Sequence, residues 1–364
     1  MKESTHGGNV YAFREQMADR QKTILDFSAN INPMGPEPYA YQAALDAFPS
    51  IIHYPDPQNT DLYKVVTHKW KLPSDMILFG NGAAELLYVA IHGSQCKHIL
   101  VPAPGFSEYE EAGLAYGLQA QYFSIDVKNT NVYQRINYEE LDTVLSRIGE
   151  ATIVCLGNPN NPDGSLVDPD KVAFLARKYS DCLFLIDESF IEFTDQKTSM
   201  RPYCKDLDNL FVLHSFTKCY AVPGLRLGML LGKASVLNQW AKQVPSWTVN
   251  RLAQVYGAAA IGQDEYIQKS RLYIDKERQY LYESLQAESV ISMCQCSVNY
   301  LLGQLQGVWQ NQLARLQSGL AKSGILIRSC QAYRGLGQGW FRVAVKRHED
   351  NKILVACLHE ILTT

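Results

Sequence analysis

Between residues 77 and 231 short apolar runs alternate with stretches of helical period, and this alternation limits the possible folds more than any other feature. The runs lie at 77–79, 98–101, 153–156, 183–186, 209–213 and 225–231. A strand apolar on both faces must be covered on both faces, as in a parallel sheet between helix layers. The intervening stretches supply the cover. Leu141, Val144, Leu145 and Ile148 recur at i, i+3, i+4, i+7 behind a capping Asn137, and Val172, Leu175, Ala176 and Tyr179 follow Asp168-Pro169 in the same way. The pattern predicts an α/β fold with a mostly parallel sheet. A chain of 364 residues has room for a second unit. After a helical stretch over 253–286, strands near 298–302, 325–327 and 341–345 and helices near 308–322 and 351–362 read as a smaller α+β domain. The expected division is a large domain over 36–255, with residues 1–35 and 256–364 forming the small one. Residues 1–35 show little periodicity and read as loops.

Composition narrows the partners. The net charge of −3 and the lack of a basic patch argue against a nucleic-acid partner. No apolar run approaches bilayer length, so no membrane partner is expected. The first residues contain no apolar h-region, which predicts a cytoplasmic protein without a secretory signal. Nine cysteines, several within apolar runs, fit buried free thiols in a reducing compartment. Cys294-x-Cys296 has no second Cys or His pair at zinc spacing, so no metal is expected.

The chemistry-bearing motifs follow the strands. Ser215-Phe216-Thr217-Lys218 closes one run, and Arg226 opens the next after Pro223-Gly224. A lysine between hydroxyls, with an arginine close behind, suits a pyridoxal 5′-phosphate site. Ser215, Thr217 and Arg226 would hold the phosphate. Gly80-Asn81-Gly82-Ala83-Ala84-Glu85 is a strand-to-helix turn of the kind that binds phosphate. Asp187 ends an apolar run, where its carboxylate can face a protonated pyridine nitrogen or simply cap a turn. Asn161 lies in a Pro- and Asn-rich turn that is either a cofactor contact or turn chemistry. Phe106 stacks on the ring or packs as an ordinary aromatic. All fall at or just beyond strand C-termini, where open α/β sheets bind ligands, and that convergence favours the cofactor reading.

On these motifs the chain resembles the fold-type I pyridoxal phosphate enzymes of the aspartate aminotransferase superfamily. The shared residues are Asn161-Pro162-x-Gly164, Asp187-Glu188 and Ser215-x-Thr217-Lys218 with Arg226. His6-Gly7-Gly8-Asn9, Asp26-Phe27-Ser28-Ala29-Asn30-Ile31-Asn32-Pro33, Ile327-Arg328-Ser329-Cys330 and Arg342-Val343-Ala344-Val345 are similar to the branch of threonine-phosphate decarboxylases and histidinol-phosphate aminotransferases. The resemblance implies that Lys218 is the Schiff-base lysine and proton carrier. Asp187 would hold the pyridine nitrogen, Asn161 the 3′ oxygen, and Ala83, Ala84, Ser215, Thr217 and Arg226 the phosphate. Tyr54 would reach that phosphate from the other subunit of a homodimer. Arg328 and Arg342 would bind the substrate's anions, near His6, Gly8, Asn32 and Asn161. Three positions depart from the pattern. Asp163 stands where Thr is usual, Phe190 where many aminotransferases have Tyr, and Arg334 where Pro often precedes Gly-Leu.

The implied activity is decarboxylation of an O-phosphorylated amino acid, L-threonine-O-3-phosphate or L-serine-O-phosphate, in cobalamin biosynthesis. A histidinol-phosphate-type aminotransferase is the alternative. A non-catalytic cofactor-binding regulatory domain is disfavoured because no helix-turn-helix pattern precedes the fold.

Overall fold

The computed structural model describes residues 7–17, 19–128 and 130–363. Helix α1 (Val10–Gln16), strand β1 (Leu25–Asp26), α2 (Pro38–Asp46) and α3 (Thr60–Trp70) come first. The alternating part holds β2 (Ile77–Asn81), α4 (Gly82–Ser94), β3 (His98–Ala103), α5 (Ser107–Ala115), β4 (Gln119–Ser124) and α6 (Tyr138–Ile148). It continues with β5 (Thr152–Gly157), α7 (Pro169–Lys178), β6 (Leu183–Asp187), β7 (Leu210–Ser215), α8 (Phe216–Cys219) and β8 (Leu227–Leu231). Then come α9 (Ala234–Trp240), α10 (Arg251–Ala260), α11 (Asp264–Gln286), β9 (Ile291–Met293) and β10 (Tyr300–Leu305). The chain closes with α12 (Leu313–Lys322), β11 (Ile325–Leu326), β12 (Arg328–Ser329), β13 (Trp340–Ala344) and α13 (His348–Thr363).

Seven strands form the large sheet in the order β2-β8-β7-β6-β5-β3-β4. Neighbours are parallel except around β8, which runs antiparallel to both β2 and β7. The short α8 and its turn return the chain without a crossover, so β8 has to reverse. Helices cover both faces, as the apolar strands require. Leu86, Leu87 and Ile91 of α4, Ala112 of α5 and Trp240 of α9 pack on one face against Ile99, Ile153, Leu185, Phe211 and Leu230. Leu62, Leu141, Leu145, Val172 and Leu175 pack on the other against Leu100, Val154, Phe184 and Val212. That second layer runs on through Leu281 of α11 into Tyr300, Phe341 and Leu354.

A second, four-stranded sheet has the order β12-β13-β10-β9 and is antiparallel. Residues before 36, read as loops, contribute more order than expected. Asn9 caps α1 by accepting from Ala12 N, and β1 pairs in parallel with β11. The helical stretch expected over 253–286 is interrupted around Gly262, giving α10 and α11. Among the described residues no helix is long and apolar enough to cross a membrane, and no cluster of His, Cys, Asp and Glu could hold a metal. All nine cysteines are free, and eight are buried.

Candidate active site

The C-terminal ends of β5, β6 and β7 meet the small sheet at a cavity of about 220 Å³. Phe106, Asn161, Asp187, Lys218 and Arg342 all line it. Residues more than two hundred positions apart are thus brought to one site.

Asp187 is the last residue of β6. Its carboxylate accepts from Tyr109 Oη at 2.8 Å, Ser189 N at 2.9 Å and Ser189 Oγ at 2.5 Å. Burial raises its pKa, and these bonds with the Lys218 charge hold the rise in check. Lys218 sits on α8, which Ser215 caps through Thr217 N at 3.4 Å. Burial pushes its ammonium down to about 8, with help from the Arg226 and Arg342 charges and against the pull of Asp187. A lysine poised there can lose its proton and attack an aldehyde.

Arg226, Ser215, Thr217, Ala83 and Ala84 converge a short way off. The antiparallel β2–β8 pair places Leu227 opposite Asn81, so Arg226 emerges beside the first turn of α4. The packing is close. A Cβ on Gly82, whose φ is +80°, would lie 2.5 Å from Arg226 Nη2. One on Gly228 would lie 2.4 Å from Ala83 N. Ser215 Oγ and Thr217 Oγ1 are 2.8 Å apart. An N-terminal helix turn, two hydroxyls and a guanidinium form the cradle a phosphate ester needs.

The N-terminal segment and the small sheet build the opposite wall. Arg342 is buried on β13, donates to the Asn161 side-chain oxygen, and donates to Ser28 O at 2.9 Å. Its guanidinium lies over the Tyr300 ring at 5.3 Å. Arg328 on β12 is the direct cross-strand partner of Arg342. It lines an adjoining cavity of about 220 Å³ under α1, with Gly8 and Asn9; Gly7 and Ser28 line both cavities. Gly8 N donates to Ser28 Oγ at 2.8 Å.

Some expected site residues lie elsewhere. Asn32 does not line the cavity: its amide donates to Cys219 O at 2.7 Å, Ser270 Oγ at 2.8 Å and Tyr266 Oη at 3.0 Å. Its role is to brace the lysine helix, since Asn32 N also donates to Lys218 O at 3.1 Å. Asn30 takes the cavity position instead, and among the described residues its buried Oδ1 has no hydrogen-bond partner. Tyr54 is 80 % exposed outside the cavity and stacks on Trp247 with centroids 4.6 Å apart. His6 lies outside the described residues. Tyr109, Ser189, Asn30, Ser28 and Tyr333 went unread in the sequence. Of these, Ser28 and Asn30, inside the quoted Ser28-Ala29-Asn30 motif, carried a signal.

The three departures also have physical settings. Phe190 lines the cavity edge-on to Tyr300, at 5.2 Å. Arg334 points away, 3.8 Å over the Tyr122 ring and 3.5 Å from Glu110, so its charge is met outside the cavity. Asp163 is wholly buried against Arg135.

The model for aminotransferases of class I and II matches residues 22–358. A relative from Caldanaerobacter subterraneus, provisionally named a threonine-phosphate decarboxylase, is 34 % identical over 98 % of this chain and 94 % of its own. The threonine-phosphate decarboxylase of Salmonella typhimurium is 30 % identical over 99 % of this chain and 97 % of its own. The solved histidinol-phosphate aminotransferase of Clostridium acetobutylicum superposes with a TM-score of 0.83 at 28 % identity, over 93 % of this chain and 99 % of that one. The chain therefore belongs to the class I and II aminotransferase family, with the fold-type I architecture. It is a pyridoxal 5′-phosphate enzyme, and the cradle at α4 and β8, the half-buried Asp187 and the lowered Lys218 fit that cofactor.

Proposed function

We propose that this protein decarboxylates an O-phosphorylated amino acid, L-threonine-O-3-phosphate or L-serine-O-phosphate, to the amino-alcohol phosphate. The reaction places it in cobalamin biosynthesis. The carrying observation is the pair of adjoining anion seats. Arg342 sits in the cavity with Lys218, and Arg328 beside it under α1.

Arg342, oriented by Asn161 and Ser28, takes the α-carboxylate next to the reacting carbon as a planar fork. Arg328 takes the phosphate one strand further out, beside Gly8. Asn30 lines the Arg342 cavity on the side of the N-terminal segment. When bound, the cofactor supplies an electron sink for the bond held perpendicular to its ring. Ala83, Ala84, Ser215, Thr217 and Arg226 would hold its phosphate, Asp187 its ring nitrogen and Asn161 its 3′ oxygen. Fixing both substrate anions selects which bond stands perpendicular, and so which reaction follows. Lys218 Nζ then returns a proton to Cα. Prompt protonation protects the β-phosphate from expulsion.

Tyr54 would complete the phosphate cradle of a second copy in a homodimer. Its exposure, and that of Phe48, Ile51 and Ile52 nearby, supports this.

The similarity to histidinol-phosphate aminotransferases favours transamination as the second reading. The purified protein given phosphothreonine or phosphoserine, without a keto acid, should release carbon dioxide in step with an amino-alcohol phosphate. Turnover seen only with 2-oxoglutarate and a phosphorylated amine would replace the decarboxylase by the aminotransferase.

A further inference from the structure

The turn that presents Asn161 is held from behind by a buried charge pair. Asp163 lies in that turn, three residues after Asn160, whose Nδ2 donates to Asp163 Oδ1 at 2.6 Å. An unpaired carboxylate at such a site is strongly unfavourable. Arg135, on the link between β4 and α6, supplies the cation. Its Nη1 stands 3.3 Å from Asp163 Oδ2, and both side chains are fully buried. The same Nη1 donates to the Asp163 carbonyl at 3.2 Å.

The other end of the guanidinium reaches the small sheet. Arg135 Nη2 donates to the carbonyl of Gln295, between β9 and β10, at 2.7 Å. Two further contacts join the turn to the same region. Tyr300 Oη donates to Asn160 O at 2.6 Å, and Cys296 Sγ lies 3.0 Å from Asp163 O. The turn is therefore clamped between the large-sheet link and the small sheet. Asn161 leaves the clamp on its cavity side and meets Arg342, whose guanidinium rests on the Tyr300 ring.

We propose that Arg135 and Asp163 are positioning residues, whose buried pair sets the Asn161 amide against the cofactor and the Arg342 guanidinium against the substrate carboxylate. The carboxylate half rests on the decarboxylase reading. The Asn161 half rests on the cofactor alone.

Replacing a buried ion pair by neutral residues of similar shape often costs little stability, whereas removing one partner costs much. Stability and positioning are therefore separable. Arg135→Met, Asp163→Asn and the double variant would be purified with cofactor, and melting midpoint, cofactor Kd by absorbance titration, kcat and KM compared with the parent. Each single variant should melt lower, and the double variant should regain most of the loss. Its cofactor Kd should nevertheless stay about tenfold or more above the parent's, the effect of one misplaced hydrogen bond to a charged group. KM should rise more than kcat falls. A double variant with parental Kd and KM would make the pair merely structural and overturn the proposal. Arg135→Lys keeps the charge but loses the fork, and it serves if the others fail to fold. It should raise Kd in a folded protein, and an unchanged Kd and KM would again overturn the proposal. Because Kd is read without substrate, a wrong substrate assignment leaves this arm standing. A normal Kd defeats the Asn161 half of the claim even if decarboxylation is confirmed.

Discussion

At the scale of single residues the chemistry turns on proton affinity. Lys218 must be neutral to bond an aldehyde, and in water a lysine is almost wholly charged at neutral pH. Here burial acts first, and the nearby Arg226 and Arg342 charges act with it, so the ammonium is disfavoured down to about 8. The sign is fixed by that direction: the reactive amine appears as pH rises through about 8, not through the ordinary 10.5. Stopped-flow absorbance of apoprotein mixed with cofactor should show capture accelerating several-fold between pH 7 and 9, then levelling. A rate still climbing steeply above pH 9 would mean that the burial seen at Lys218 does not act in solution. Asn32 shows the reverse case, a polar residue that sequence places in the site and packing assigns to support. Asn30 and Asn32 are two apart in a turn-rich segment outside any strand, where Ile31 N donates back to Ala29 O. The choice between them was made by Tyr266 and Ser270 of α11, which claim the Asn32 amide.

At the scale of elements, the phosphate cradle is the start of α4 set against the start of β8. Gly82 has no side chain because Arg226 occupies the place where one would be, and its φ of +80° disfavours any other residue. Gly82→Ala should cost about 1–2 kcal/mol of backbone strain and displace the guanidinium. Cofactor affinity should then fall at least about tenfold, while the melting midpoint drops only a few degrees. Equal affinity in the two proteins, measured by equilibrium dialysis, would remove Arg226 from the cradle. This element was legible from Gly80 to Glu85 because its signal is local: glycines between an apolar strand and a helix. Strand β4 was not. Gln-Ala-Gln-Tyr-Phe-Ser sits at the sheet edge with one face partly wet, so it lacks the apolar run of a central strand. Helix α1 was missed for the related reason that none of its residues is buried.

At the scale of the molecule, apolar surface is left over. Phe48, Ile51, Ile52 and Tyr54 are exposed within one short stretch, with Ile52 at 81 %. A second copy covering this stretch would bury it and bring Tyr54 to the partner's phosphate cradle. Light scattering at working concentration should return a mass of two chains, close to twice 41.0 kDa. Ile52→Glu should shift that mass toward one chain and weaken cofactor binding in parallel. A parent protein that scatters as a single chain with full cofactor affinity would refute both the dimer and the role of Tyr54.

The sequence by itself determined the layered α/β plan and singled out the candidate set Lys218, Asp187, Asn161, Ser215, Thr217 and Arg226. Each of these is written in a few adjacent residues, and parallel strands of such a plan deliver their C-terminal ends to one edge. Only the tertiary structure decided which polar groups meet across distance. It paired Arg328 with Arg342 through strand register, turned Tyr109 Oη onto Asp187, spent Asn32 on α11, and set Arg135 behind Asp163. Those contacts depend on crossovers and on the burial of whole helices. Burial then makes an enclosed charge or amide costly unless it finds a partner wherever the chain has placed one.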